Sequence, residues 1–494
     1  AHLTSSAAPI VLLKKKDHRL EHLAPRMSSL GVMLPYSPLH QLLFTEENNN
    51  DTPSLTLVMT SANLCGQPLI YQDDIKALIS MADYVLTHDR AINKRCDDSI
   101  INCVFDEEMD KESHQQAIVV RRARGMAPIS FTLPFEGKST LAVGGYFKNS
   151  ICLTKDNKAY LSQYIGDLDN PENCRYLQET VQHLMTVFQI TPEQVVCDLH
   201  PDFYSSQYAE KFAHEHKLPL IKVQHHHAHA AAVACEKQLT SAYLALSLDG
   251  VGLGDDGKSW GGECLLINDE ASEQLAHFKP VILPGGDIAA KQPWRLACAF
   301  LQQHNLGAIS EEILAKEQGY KIVSQMIERH SNCQSTNSAG RLFDLAAALL
   351  GLTNYNSFEA EAAMLLETAC DYGTIRITEP LFNISDNNQL DFTPLLLALI
   401  KMSPDDGAAT FHYQLVYGLS TWLVKLSPPD IKNVVLSGGC FLNQKLTSKL
   451  KKSLITYGFT VFCAENIPPN DSSLALGQAW AVTCKQESSK QNLK

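Results

Sequence analysis

The sequence predicts an α/β protein built from at least two units. Three observations carry that expectation. The chain has 494 residues, too many for one ordinary core, so two to four domains are expected. From residue 141 onward, strand-length apolar stretches alternate with longer helical ones, the pattern of an α/β fold. Before that point short strands mix with Pro- and Asp-rich turns, and residues 128–138 hold Pro128, Pro134 and Gly137 with little periodicity, which places a boundary there. The expected division is 1–133 and 134–494, the second unit having lobes at roughly 140–238 and 239–485.

In the first unit, apolar residues 9–13 read as a strand, followed by Lys14, Lys15 and Lys16. Residues 55–59 read as a buried strand ending in the turn Thr60, Ser61, Ala62, Asn63, and 74–79 as a helix. Val119 and Val120 lead into a basic cluster, Arg121, Arg122 and Arg124. In the second unit, strands are expected at 141–145, 150–154, 244–248 and 434–436. Helices are expected near 171–189, 206–216, 341–351, 358–370 and 411–426. The polar tail 485–494 is expected to fray.

Composition narrows the class. Hydrophobic residues make up 45% and charged residues 19%, which fits a packed protein and not a disordered one. A formal net charge of −13 argues against a general nucleic-acid binder. The 14 Cys contain no C-x-x-C, so they read as reduced, buried thiols and not as a disulfide framework or zinc ribbon. No apolar run approaches the roughly 20 residues needed to span a membrane, and no signal peptide is visible. A cytoplasmic protein without membrane partners is expected. The chain opens at Ala1 and enters a strand within ten residues, so it reads as a fragment of a longer protein.

Five segments offer chemistry. In His-His-His-Ala-His at 225–229, His225 and His229 are one helical turn apart, so both imidazoles can reach one metal; a His-rich surface turn is the plain alternative. Asp249 ends an apolar strand, and Gly250, Gly252, Gly254 and Gly257 follow; this is either a metal-and-phosphate turn or a simple Gly-rich hairpin. Gly144 and Gly145 begin a second Gly turn, with Lys148 and Asn149 beyond it. Ser437, Gly438 and Gly439 join a buried strand to a helix, a natural anion site. Asp471 stands at a helix start, either as a ligand or as a plain N-cap. In chain order, the Gly144 hairpin, the Asp249 hairpin and the Ser437-Gly438-Gly439 junction resemble the two-lobed actin/hexokinase/Hsp70 ATPase fold.

The resemblance becomes specific across nearly the whole chain. His225, His229, Asp249 and Asp471 look like the metal ligands of the TsaD-like superfamily. The wording of the motifs resembles the HypF-type carbamoyltransferases of [NiFe] hydrogenase maturation. It is carried by the HHHAH segment, Trp260-Gly261-Gly262-Glu263, Leu283-Pro284-Gly285-Gly286-Asp287, Pro293-Trp294-Arg295, Gly340-Arg341-Leu342-Phe343-Asp344, Ser437-Gly438-Gly439 and Asp198-Leu199-His200-Pro201. Residues 1–133 resemble the later part of a YrdC-like domain, through Pro35-Tyr36-Ser37-Pro38, Ser61-Ala62-Asn63, Cys96-Asp97-Asp98-Ser99 and the arginine cluster. The acylphosphatase-like domain and zinc-finger cysteines with which such proteins begin are absent from this sequence, as is the front of the YrdC-like domain. Ala360 and Ser472 stand where the family usually has Gly, which puts nucleotide affinity at the second site in question.

The resemblance implies a mechanism. The YrdC-like domain would join a carbamoyl group from carbamoyl phosphate to AMP from ATP, bound with Mg²⁺. Arg121, Arg122 and Arg124 would bind phosphate oxygens, and Ser61 and Asn63 the nucleotide. Zn²⁺, Fe²⁺ or Mn²⁺ would sit on the four ligands. Gly144, Lys148, Asn149, Asp249, Gly250, Asp344, Gly438, Gly439 and Asn443 would line the second nucleotide cleft. The acceptor would be the C-terminal Cys of a HypE-type maturation protein, on the way to a cyanide ligand. The competing readings are a tRNA threonylcarbamoyl or small-molecule O-carbamoyl transferase, disfavoured by domain order, and a nucleotide-binding scaffold of the actin/Hsp70 type, disfavoured by the HHHAH segment.

Overall fold

A computed structural model describes residues 1–45, 56–63, 67–71, 75–103, 117–268 and 271–491. Among these, three sheets and a short hairpin organise the chain. In the first sheet, β1 (Ile10–Lys14) pairs antiparallel with β2 (Ser29–Val32) and parallel with β3 (Ile100–Cys103), and β3 pairs antiparallel with β4 (Ala117–Arg121). Val11, Ile101 and Val119 lie side by side across it and, with Ile118, are buried.

The second sheet comprises β5 (Ile129–Thr132), β6 (Thr140–Ala142), β7 (Cys152–Lys155), β8 (Lys158–Leu161), β9 (Gln194–Asp198) and β10 (Leu220–Val223), in the order β10-β9-β6-β7-β8-β5. β5, which lies inside the expected boundary stretch, pairs antiparallel with β8. Alternation along β6 and its flanks sets the two faces. Leu141 and Val143 pack with the helices Pro171–Phe188 and Tyr204–His216, whereas Ala142 faces the helices His225–Lys237 and Leu474–Gln491. The last helix thus returns from the far end of the chain to cover the first lobe.

The third sheet holds β11 (Tyr243–Leu253), β12 (Ser259–Ile267), β13 (Ser272–His277), β14 (Val281–Pro284) and β15 (Cys333–Thr336). After the small hairpin of β16 (Asn383–Ile384) and β17 (Leu390–Asp391), it is completed by β18 (Asn433–Ser437) and β19 (Thr460–Cys463). Its order is β14-β15-β12-β11-β18-β19, with β13 on β12. Leu244, Leu246 and Leu248 of β11 face a core built around Trp294, Phe343, Phe411 and Trp422, all fully buried. Ala245, on the opposite side, faces the helix His225–Lys237. That helix carries alanines at 228, 230, 231, 232 and 234, all buried. Small side chains let it lie between both sheets at once, which is why a histidine-bearing element ends up at the centre of the molecule.

Most expected elements are present; of the helix expected at 74–79, Ile75–Ile79 is helical and Asp74 lies outside the described residues. Residues 56–59 form no strand and are exposed, Val58 to 72%, with Leu55 outside the described residues. The tail expected to fray continues as helix to Gln491. The helix after Gly438 and Gly439 begins only at Gln444, because the short 3-10 segment Gly439–Leu442 intervenes. No described helix is long and apolar enough to cross a membrane. The cysteines among the described residues are free thiols.

Candidate metal centre

β9 ends at Asp198, and β10 feeds the helix His225–Lys237. Gln224 caps that helix by accepting from the His227 backbone N–H at 2.7 Å. His225 and His229 then share one face, with ring centroids 4.9 Å apart. Asp249 lies on β11 within its register shift, between Leu248 and Gly252. Its Oδ1 accepts from the Gly439 N–H at 3.0 Å, and its Oδ2 lies 3.5 Å from His225 Nε2 and 3.6 Å from His229 Nε2.

Asp471 is not the N-cap of its helical segment. Asn470 takes that role, accepting from the Ser472 N–H at 3.1 Å. The Asp471 carboxylate is therefore free to reach inward, with Oδ1 3.3 Å from His229 Nε2 and 3.9 Å from His225 Nε2. One donor atom from each of His225, His229, Asp249 and Asp471 lies within 4.8 Å of the others.

Both Nε2 atoms are buried without a hydrogen-bond partner, and each histidine is 1% exposed. Native proteins seldom leave such atoms unsatisfied, because desolvation then goes uncompensated. Two imidazoles and two carboxylates aimed at one point fit a divalent cation of the Zn, Fe or Mn type. The electrostatics agree. Burial alone would raise the Asp249 carboxyl, yet His225 and His229 hold it well below the usual carboxylate range. Burial would lower His225, but the Asp198 and Asp249 carboxylates drive it well above its ordinary value. Those acidic groups favour positive charge at the ring nitrogens, whether a proton or a metal supplies it.

Glycines shape the surround. A Cβ at Gly252 would meet His225 Cδ2 at 2.7 Å, and one at Gly145 would meet Leu474 Cδ1 at 2.8 Å with Asp471 Oδ2 at 3.6 Å. Gly144 donates its N–H to Gln478 Oε1 at 3.0 Å, pinning the first hairpin to the last helix. Lys148, at φ 45°, donates its N–H to Asp167 at 2.7 Å, and its ammonium forms an ion pair with Glu359 of the other lobe. Glu359 and Asp471 together outweigh desolvation and raise the Lys148 pKa. Gly250 faces open space. Ala360 adopts φ 60°, the left-handed conformation that Gly tolerates best.

Other expected cleft residues turn out to be used within the fold. Asn149 is buried and donates to Val143 O at 2.8 Å and Gly145 O at 2.7 Å, which shapes the turn. Asp344 is buried against Arg341 at 2.7 Å. Gly438 has φ 98° and approaches Leu248 too closely for any Cβ, while the Gly439 N–H is already engaged by Asp249. Asn443 is the N-cap of the helix Gln444–Thr456, accepting from Leu446 N at 2.9 Å, and its amide donates to His412 Nε2 at 3.1 Å.

In the first unit, Arg121 donates to Asp98 O at 2.8 Å and lies 5.6 Å over the Tyr164 ring. Arg124 contacts Asp98 Oδ1 at 2.7 Å and Ala8 O at 2.8 Å. Arg122 is 5% exposed and donates to Met126 O and Asn466 O, so it ties the first unit to the second. Ser61 and Asn63 bond to each other in an exposed turn, and Asn63 also donates to Gln67 O at 2.8 Å.

Two residues near the centre carried no assigned role in the sequence reading. Glu359 had no signal beyond its place in a motif. Asp198 stood in the sequence only within the matching motif Asp-Leu-His-Pro; it ends β9 and is fully buried, with Oδ2 2.7 Å from His225 Nδ1.

The chain is similar to known proteins over nearly its whole length. Residues 136–236 match the family "HypF Kae1-like domain", and residues 245–478 match "Carbamoyltransferase, Kae1-like Domain, second subdomain". Residues 2–119 match the Sua5/YciO/YrdC family, described as "Telomere recombination". A carbamoyltransferase HypF homolog of Cupriavidus necator is 37% identical over 69% of this chain and 91% of its own length. The chain belongs to the HypF carbamoyltransferase family. The carbamoyltransferase HypF2 of the same organism is 41% identical over 98% of this chain, which spans 64% of the length of that relative. The crystal structure of full-length HypF in the phosphate- and nucleotide-bound form superposes with TM-score 0.85 at 34% identity, covering 97% of this chain and 75% of that one. The HypF of T. kodakarensis superposes with TM-score 0.88 at 31% identity, covering 98% and 64%. The mixed α/β fold is thus that of HypF structures.

Proposed function

We propose that this chain performs the carbamoyl-adenylate and carbamoyl-transfer steps of a HypF-type enzyme, in a cytoplasmic setting. The observation that carries the reading is the convergence of His225, His229, Asp249 and Asp471, with two unpaired ring nitrogens, where the hairpin of the first lobe meets β11 of the second. The division into a YrdC-like unit at 1–133 and a TsaD-like unit at 134–494 is part of the proposal.

In this reading, a carbamoyl group derived from carbamoyl phosphate is joined in the first unit to the AMP of Mg²⁺-bound ATP, with pyrophosphate as the leaving group. Arg121 and Arg124 there present guanidinium groups suited to bidentate phosphate contact. Arg122 serves the joint between the units instead. In the second unit, Lys148 exchanges Glu359 for a nucleotide phosphate, and Gly250 leaves backbone room for it. A divalent cation held by His225, His229, Asp249 and Asp471 would act as a Lewis acid toward phosphate and carbamoyl oxygens. The four side chains fix where those oxygens can sit, and the buried walls around them exclude water. The acceptor is a C-terminal Cys of a HypE-type protein; a thiolate is nucleophilic near neutral pH and requires no strong base from this chain.

Metal analysis of the purified chain tests the proposal, with His225→Ala and Asp471→Ala beside it. Stoichiometric metal in the purified parent, and well below one equivalent in both variants through weakened affinity, are expected. Full occupancy in both variants would remove the proposed reaction centre. Carbamoylation of a HypE-type acceptor, followed by mass, tests the activity separately.

A further inference from the structure

We infer that Asp198 is a positioning residue that fixes the tautomer and ring orientation of His225, so that the centre is braced on one histidine and not on the other. The inference rests on the metal reading above.

Asp198 ends β9 in the second sheet, whereas His225 opens the helix after β10, so the contact joins two separate elements. The Asp198 side chain is fully buried, and both its oxygens have work. Oδ1 accepts from the His200 N–H at 2.9 Å, which closes the turn after β9. Oδ2 lies 2.7 Å from His225 Nδ1. A carboxylate accepts hydrogen bonds and donates none, so Nδ1 must carry the proton. The Nε2 lone pair then points toward Asp249 and Asp471, where a cation would sit. A carboxylate behind a ligating histidine fixes its orientation and raises its basicity.

His229 has no such support. Its Nδ1 is buried without a hydrogen-bond partner, as is its Nε2. Nothing on that side selects a tautomer, and the ring is set by packing alone. The two histidines therefore do different jobs: His225 is the fixed ligand, and His229 is the one whose bond to the cation adapts.

The chemistry of Asp198 makes a sharp prediction about its isosteric replacement. In Asp198→Asn, the amide has one oxygen, and the His200 N–H already claims that position. The NH₂ group then faces His225 Nδ1, which must accept, so the ring proton moves to Nε2 and blocks the metal. Asp198→Ala removes the brace but imposes no tautomer. A residue needed for packing alone would give the opposite ranking, since Asn preserves volume.

The test titrates the full chain and its variants with Co²⁺, following the visible d–d bands and the dissociation constant by chelator competition. Loss of affinity by about 10–100-fold is expected for Asp198→Ala, with altered bands, and an equal or larger loss for Asp198→Asn. In a His225→Ala background, either change should cost no further affinity, because Asp198 acts through that ring. Parent-like affinity in Asp198→Asn overturns the inference, and so does a loss that persists undiminished without His225. Should Asp198→Ala fail to fold, Asp198→Asn carries the same cycle. Absence of Co²⁺ uptake by the parent chain instead sinks the metal reading itself, and this proposal with it.

Discussion

Replacing Gly477 with Ala sets two physical effects against each other. Gly477 lies on the helix Leu474–Gln491 where it crosses the helix His225–Lys237. In an exposed helix the change would stabilise by about 1 kcal/mol through propensity. Here the new Cβ would lie 1.8 Å from Ala228 O, 2.7 Å from Ala228 C and 2.8 Å from Ala232 N, where ordinary contact begins at 3.4 Å. These neighbours are backbone atoms of a buried helix, so no side chain can rotate away, and the helices must part by over an ångström. Overpacking costs ~1–3 kcal/mol, and rigid neighbours place this case at the upper end. The net expectation is destabilisation of ~2 kcal/mol. Ala228 lies between His225 and His229, and Asp471 immediately precedes the other helix, so parting the helices also pulls the fourth ligand away. Urea denaturation followed by tryptophan fluorescence, with Trp480 on the moving helix, measures the first effect; chelator competition measures the second. A Gly477→Ala chain at least as stable as the parent, binding metal equally well, would refute the steric argument.

Three further outcomes are expected. Glu359→Gln should free Lys148 and tighten ATP binding several-fold at low salt, read by calorimetry, while Lys148→Met weakens it. Arg122→Met should leave Met126 O and Asn466 O unpaired and cost ~1–3 kcal/mol of stability, seen in denaturation, without the loss of ATP affinity a phosphate ligand would show. His412 is buried, bonded to Ala408 O and Asn443, and its pKa is pushed down to about 4 by burial. Below pH 6.5 the unfolded chain binds a proton that the folded chain refuses, so stability falls as pH drops from 6.5 toward 4, by up to about 3 kcal/mol. His412→Gln should flatten that part of the stability–pH curve; an unchanged slope would show that other groups set it.

Local patterns were legible where one element held the whole signal. The spacing of His225 and His229 needs only a helix, and the run of alanines supplies one. Asp249 showed as a strand end before glycines. The centre as a unit was not legible from pattern, because Asp198, Asp249 and Asp471 come from three elements whose meeting depends on sheet order and on the returning helix. Resemblance to a family supplied Asp249 and Asp471 as partners; it included Asp198 only as part of a matching motif, with no role beside His225. Polar residues at helix starts were the hardest to read. Asn443 looked like a ligand-facing amide and is a cap, whereas Asp471 looked like a cap and is free, since Asn470 beside it takes the N–H. One position decides each outcome, finer than element boundaries can be read from sequence. The burial of Arg122 was not legible for a related reason: a basic cluster after a strand does not say which guanidinium turns inward.

The returning helix has a consequence for biosynthesis. Synthesis proceeds from the N-terminus, so β6 to β9 emerge hundreds of residues before Leu474–Gln491, the element that covers one of their faces. Until then that face, with Ala142, Cys152, Ala159 and Val196, lacks part of its cover, and the metal pocket lacks Asp471. A ribosome that stalls before that point holds a chain that cannot bury its first lobe fully and lacks the fourth side chain of the proposed metal site. On that proposal metal loading requires residue 471 to have been made, and a chain with a sticky first lobe is the species that chaperones should meet.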